Sequence, residues 1–207
     1  MTDYRVTYFD IDGGRVEPIR IAFHAAGIPF EDRRLSFEEF GNTREQFRFT
    51  CVPTVDIDGQ EFTQSTALSR YAGKLAGLYP KDDLQALYCD EAMGAVEDVT
   101  THVGRTMRMQ GDEQRQAREQ LAEGWLPIYL KGLAVLLERG GGQYFADGKL
   151  TVADLSVAGL VGWLTHGGLD HLPAGLVQNV APTLAEHAGR IMQEPAVAAY
   201  YASRQQA

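Results

Sequence analysis

The sequence predicts a small mixed α/β domain of about 80 residues joined to an all-helical one of about 120. Three observations carry that prediction. Residues 4–35 read as strand, helix, strand; apolar runs flanking Asp58-Gly59 read as a hairpin; and after Tyr79-Pro80-Lys81-Asp82-Asp83 no strand pattern recurs. The expected division is therefore a first domain over 1–80, a linker over 81–83 and a helical domain over 84–207.

In the first domain, Tyr4 to Phe9 alternates as a strand, with Tyr4, Val6 and Tyr8 on one face. Asp10-Ile11-Asp12-Gly13-Gly14 has turn chemistry. Arg15 to Ala26 carries Val16, Ile19, Ala22, Phe23 and Ala26 at helical spacing; Pro18 is tolerable in a first turn, and Gly27 suits the position just past the end. A second strand over 30–35 follows, parallel to the first because a helix crosses between them. Residues 36–50 predict a short irregular helix and a loop. Strands over 53–57 and 60–63 flank the Asp58-Gly59 turn. A helix then runs from Ser65, its expected N-cap, to about Leu78, with Leu68, Tyr71, Ala72 and Leu75 as its buried stripe.

In the second domain the periodicity predicts helices over 84–110 and 112–138, the latter kinked or ended by Pro127. Thr151-Val152-Ala153-Asp154 is a capping box opening an apolar helix over 152–165. Shorter helices fit 173–178, 182–193 and 195–203.

The composition, 44% hydrophobic and 23% charged over 207 residues, is that of a globular protein. A formal net charge of −9 argues against nucleic acid or an anionic membrane as the main partner. No apolar run approaches the roughly 20 residues of a membrane-spanning helix. Cys51 and Cys89 form neither a disulfide scaffold nor a metal-ligand pair, and the five histidines lack ligand spacing, so no metal is expected and a reducing cytoplasm is the simplest compartment.

Several residues could carry chemistry. Tyr8 ends the first strand beside a glycine-containing loop, where ligands bind α/β sheets; its phenol could donate to an anion such as a thiolate, or be structural. Val52-Pro53 opens a strand at which proline cannot donate to a ladder, so it lies at an edge or in a special conformation. Gln64-Ser65 opens a helix whose N-terminal N–H groups suit a carboxylate, or is an ordinary cap. Arg15, Arg44 and Arg48 either draw in an anion or are solvated.

In this order, Tyr8, Val52-Pro53-Thr54, Asp58-Gly59 and Gln64-Ser65-Thr66-Ala67-Leu68-Ser69-Arg70-Tyr71, the chain resembles a cytosolic glutathione transferase, the sigma class most and the pi class next. The resemblance is dense over 4–80 and looser beyond. It implies a thioredoxin-like N-terminal domain of order βαβ-α-ββα, an all-α C-terminal domain, a homodimer, and glutathione as co-substrate. Tyr8 matches the catalytic tyrosine. Val52 matches the residue whose backbone pairs with the cysteinyl part of glutathione, and Pro53 the family's cis-proline. Gln64 and Ser65 match the pair holding the γ-glutamyl end, and Asp98 the acid that reaches the neighbouring subunit's glutathione. Arg15 matches a first-helix arginine near the thiolate. Three positions depart: Phe40 replaces a tryptophan, Arg44 a lysine, and Cys51 a glutamine or lysine. The electrophile pocket is expected near Phe9, Ile11, Thr101, Arg105 and Met109. The implied activity is conjugation of glutathione to small electrophiles. A glutathione-dependent isomerase of the prostaglandin type, a peroxidase, and a non-catalytic crystallin-like or ligand-carrying relative are the alternatives.

Overall fold

The computed structural model describes residues 2–204. They form two compact units, 2–79 together with 195–204, and 80–194. The last helix thus groups with the first unit, whereas the sequence reading ran the second domain to 207.

The first unit contains β1 (Tyr4–Phe9), α1 (Glu17–Ala25), β2 (Glu31–Leu35), α2 (Phe37–Thr43), β3 (Thr54–Ile57), β4 (Gln60–Phe62) and α3 (Ser65–Ala76), with 3-10 turns at Arg44–Gln46 and Arg48–Thr50. The sheet order is β2-β1-β3-β4. β1 is parallel to β2 and antiparallel to β3, which pairs antiparallel with β4. This is the thioredoxin-like order. Tyr4, Val6 and Tyr8 of β1 pack with Val16, Ile19, Ala22 and Phe23 from the α1 region and with Val55, Leu68 and Ala72. Burying such side chains contributes about 1.5–3 kcal/mol each. Pro18 lies in the first turn of α1, and Gly27 follows its end at φ +63°.

Three expectations for α3 are corrected. Gln64 is its N-cap and Ser65 its first helical residue, because Gln64 takes the non-helical conformation (φ 74°, ψ 101°). The helix also ends at Ala76, with Gly77 left-handed at its C-cap. Its buried residues are Leu68, Ser69, Ala72 and Gly73. Tyr71 and Leu75 are 37% and 44% exposed, because small residues at 69 and 73 let α3 approach α1 closely on that side. The Tyr71 hydroxyl instead meets that of Tyr4 at 3.1 Å.

The second unit contains α4 (Asp83–Thr106), α5 (Gly111–Gln120), α6 (Leu126–Arg139), α7 (Val152–Thr165), α8 (Leu176–Val180) and α9 (Pro182–Ile191). Asp82 caps α4 by accepting from the backbone N–H groups of Leu84 and Gln85 at 3.1 and 3.0 Å. Cys89, Ala92, Met93, Val96, Val99 and Val103 are its buried face, while Leu84 and Leu87 are exposed. Burial pushes the Cys89 thiol up to about 12. Pro127 neither breaks nor ends the helical path. A π turn at Leu121–Trp125 joins α5 to α6 and leaves Pro127 in the first turn of α6. A proline has no N–H to donate, and the wider turn before it accommodates the missing bond.

The capping box forms, and Asp154 does more than cap. Fully buried, it accepts from Thr151 N at 2.8 Å, Thr151 Oγ1 at 2.7 Å, Phe145 N at 3.0 Å and His187 Nε2 at 2.9 Å. The imidazole nitrogen is the donor, since a carboxylate only accepts. One side chain thereby ties α7, the segment before it and α9. Asp154→Ala, which strands these donors, should cost about 3 kcal/mol or more, read as a lower urea midpoint with unchanged slope. An unchanged midpoint would contradict this role.

Candidate functional site

Sheet register builds the site. The β1–β3 ladder ends at Thr7 opposite Thr54, and the β3–β4 ladder at Val55 opposite Phe62. Continued by one residue and by two, the same registers set Tyr8, Pro53 and Gln64 in one row across the end of the sheet. Two of the three leave regular strand geometry just there. Tyr8 is the penultimate residue of β1, just before the 10–14 loop, whereas the Val52–Pro53 bond is cis and Gln64 has φ 74°. β3 accordingly begins at Thr54 rather than at the expected Pro53.

Tyr8 is 6% exposed. Its hydroxyl lies against the backbone of Gly14, where an added Cβ would fall 3.0 Å from both Oη and Cε1. Gly14 also has φ +74°, so this position needs glycine for two separate reasons. Arg15 follows directly and is half-buried. At the other end of the row Ser65 is half-buried and opens α3, and Gln64 makes no side-chain cap hydrogen bond. The helix N-terminus is suited to a carboxylate.

The segment over 40–51 flanks this row. Phe40 meets Phe9 edge-to-face at 5.1 Å, and Phe47 at 6.0 Å; Phe9 also meets Tyr8 at 5.1 Å and Phe37 at 4.8 Å. Phe9 and Phe40, assigned to different ligands in the sequence reading, therefore belong to one aromatic cluster. Arg44 is exposed and donates from Nη2 to Thr50 Oγ1 at 3.4 Å. Phe49 and Thr50 both have positive φ (59° and 48°), a strained pair costing of order 1–3 kcal/mol each. The Arg48 N–H to Glu61 Oε1 bond, 3.0 Å, ties that turn to β4. Cys51 is a half-buried free thiol.

Sequence reasoning missed a charged network behind the 10–14 loop. Arg20 is fully buried and pairs with Asp32 at 2.8 Å and with Glu17 at 3.6 Å, and it donates to the Ile11 carbonyl at 3.3 Å. Arg34 donates to Asp32, Asp10 and the same carbonyl. Helical periodicity carries no signal for a buried arginine. The Ile11 side chain itself is 37% exposed.

In the second unit, Asp98 is exposed and accepts from the Tyr129 hydroxyl at 3.1 Å; this bond raises the Tyr129 pKa. Tyr129 stacks on Trp125 at 3.8 Å, and Trp125 lies 4.1 Å from the His102 ring. An open cleft of about 350 Å³ adjoins this stack, lined by His102, Arg105, Thr106, Met109, Leu121 and Trp125 among others. Arg105 and Met109 both line this cleft. Thr101 is exposed on α4 and is not among the lining residues.

The family model described as glutathione S-transferase, C-terminal domain, matches residues 97–204. Glutathione S-transferase 1 of Ascaris suum is 32% identical over 168 residues, covering 79% of this chain and 81% of that protein. The chain belongs to the glutathione S-transferase family. Glutathione S-transferase 3 of Caenorhabditis elegans is 31% identical over 163 residues, covering 76% of this chain and 78% of that one. Among solved structures, prostaglandin synthase D of Nilaparvata lugens superposes with a TM-score of 0.85 at 25% identity, covering 98% of both chains. Among the described residues, no helix is long and apolar enough to cross a membrane.

The contact between Gly14 and Tyr8 is testable against its neighbour. Gly13 has a similar φ (+81°) but open space around it. Gly13→Ala should cost about 1 kcal/mol, roughly 2–4 °C in Tm. Gly14→Ala should cost clearly more, by calorimetry, because its methyl group also meets the phenol. Equal shifts would contradict the close approach.

Proposed function

We propose that this transferase-family chain conjugates the thiolate of glutathione to small electrophiles, with Tyr8 as its catalytic residue. The observation that carries the reading is the row Tyr8, Pro53, Gln64, which presents three differently suited groups along one sheet end. Ser65 and the first turn of α3 hold the γ-glutamyl carboxylate. The backbone of Val52 pairs with the cysteinyl residue. Arg44 offers charge to the glycyl carboxylate, while Phe40 supplies ring packing but no N–H. The glycyl end is therefore held less tightly than the other.

A free thiol has a pKa near 8.5, and only its thiolate is a good nucleophile. The Tyr8 O–H, aimed at the sulfur, donates a hydrogen bond that stabilises the thiolate. Arg15 adds positive potential. Lowering the thiol pKa by roughly two units requires about 2.7 kcal/mol of preferential stabilisation. The thiolate then attacks the electrophilic carbon, whose leaving group departs with the bonding pair. The cleft at Arg105, Met109 and Trp125 offers the second substrate an apolar wall with a cationic edge, which favours polar or anionic electrophiles.

A second reading is supported by the likeness to the prostaglandin synthase D of Nilaparvata lugens: glutathione-dependent isomerisation of an endoperoxide. Assays on a generic aryl halide and on an endoperoxide decide between them. Retention on a glutathione column with turnover of either substrate is expected; no retention and no turnover would remove both readings. Tyr8→Phe should lower kcat about tenfold or more while leaving glutathione KM nearly unchanged, since the hydroxyl acts on the thiolate and not on the peptide frame. Equal loss in both would mean that Tyr8 only shapes the site.

The same reading makes the protein a cytoplasmic homodimer with a role in detoxification, with Asp98 reaching the γ-glutamyl amine bound by the partner subunit. Exposed apolar side chains support pairing: Phe49, Phe62, Tyr71 and Leu75 on the first unit, and Leu84, Leu87, Ile128 and Val135 on the second. Activity per chain should fall as dilution dissociates the dimer, followed by light scattering and initial rates. A fully active monomer would contradict the role of Asp98.

A further inference from the structure

The 10–14 loop, which brings Gly14 against the Tyr8 hydroxyl, is held by cations from three elements. Arg20 of α1 donates to the Ile11 carbonyl at 3.3 Å. Arg34 of β2 reaches the same carbonyl at 3.4 Å and Asp10 Oδ1 at 3.3 Å. The third cation comes from the other end of the chain. Arg204, in the last turn of α10 (Pro195–Arg204), pairs with Asp12, and its Nη1 lies 3.7 Å from Glu17.

Glu17 is the pivot of the arrangement. Its side chain is 3% exposed, and among the described residues neither carboxylate oxygen has a hydrogen-bond partner. It is held between Arg20 at 3.6 Å and Arg204 at 3.7 Å. Burial raises its pKa, an effect that the Arg20 charge first, then the nearby Tyr201 hydroxyl and the Arg204 charge, offset. A buried charge with such loose partners stabilises the fold poorly. Removing one partner would leave the others uncompensated, so the loop and α10 are coupled through it. Arg204 also lies 5.8 Å from the Tyr200 ring, and Tyr200 meets His24 of α1 edge-to-face at 5.7 Å, so that helix is fixed against α1 as well.

We propose that Arg204 is a positioning residue: through Asp12 and Glu17 the C-terminal helix latches the 10–14 loop, and so holds Gly14 and Arg15 in place around the Tyr8 hydroxyl. This rests on the reading of Tyr8 as the group that addresses the glutathione sulfur. A displaced loop moves the phenol and Arg15 away from the geometry that stabilises a thiolate. An error of about 1 Å in such a constellation can cost a hundredfold in rate.

Position and charge can be separated by two substitutions. Arg204→Gln removes a positive charge near the site and Asp12→Asn removes a negative one. Charge alone would move the thiol pKa of bound glutathione up in the first variant and down in the second. A latch moves it up in both, because either change releases the loop. The measurement is the pH dependence of the thiolate absorbance of the glutathione complex. The expected result is a rise of about half a unit to one unit in both variants, about three- to tenfold less thiolate well below the pKa, with Arg204→Lys close to wild type. Opposite shifts, or no shift in a folded variant, would overturn the proposal. Asp12 is two-thirds exposed (67%), so its variant serves where Arg204→Gln does not fold. Hydrogen exchange of the 10–15 amides in the ligand-free protein tests the latch without glutathione. Exchange should quicken about tenfold in both variants, and unchanged exchange would overturn the proposal. Absence of thiolate absorbance in the wild-type protein would instead reject the glutathione reading, and the exchange result would still decide the latch.

Discussion

The register of three strands is the constraint on which the site depends. A one-residue slip in either antiparallel ladder would turn every side chain to the opposite face. The buried alternation of Tyr4, Val6 and Tyr8 against Val55 excludes that slip, since it would send the core residues of β1 to solvent. The hydrophobic pattern thus does two things. It packs the sheet against α1 and α3, and it fixes which residues stand at the ends of the strands. Tyr8, Pro53 and Gln64 are in one row because the apolar residues behind them are in register.

What the strands set in place, charges hold. The chain is acidic overall, yet its most buried cations are structural. Arg20 ties α1 to β2 and to the loop beside Tyr8. In the second unit Arg118 is 2% exposed and donates to Thr106 Oγ1 at 2.9 Å and to the Asp170 carbonyl at 2.8 Å. Asp154 is the anionic counterpart. Each replaces water with several fixed partners, the condition under which a buried charge is tolerated. Net charge describes the solvated surface and is silent about these centres.

The helical unit shows how the chain accommodates a residue whose chemistry is plain in the sequence. Pro127 does lack the donor that an interior turn needs. The chain meets this with a π turn and continues, so the one helix expected over 112–138 becomes α5, a wider turn and α6. That wider turn carries Trp125, which stacks between His102 and Tyr129. The adaptation to a proline therefore contributes a wall of the cleft near Arg105.

By itself the sequence determined the thioredoxin-like element order, the Asp58-Gly59 hairpin, the capping box and the family. These rest on local chemistry: turn residues, period-two and helical spacing, and a motif order that survives at low identity. Tyr8, Val52-Pro53 and Gln64-Ser65 stood out for the same reason, as a strand end, a proline opening a strand and a helix start. Tertiary structure alone decided the rest. It placed Gln64 rather than Ser65 at the cap, turned Ser69 and Gly73 inward in place of Tyr71 and Leu75, and joined Phe9 to Phe40. It also brought Arg204 to Asp12 and Glu17 from the far end of the chain. Such contacts depend on how closely elements approach and on which charges burial leaves uncompensated. No spacing along the chain encodes either.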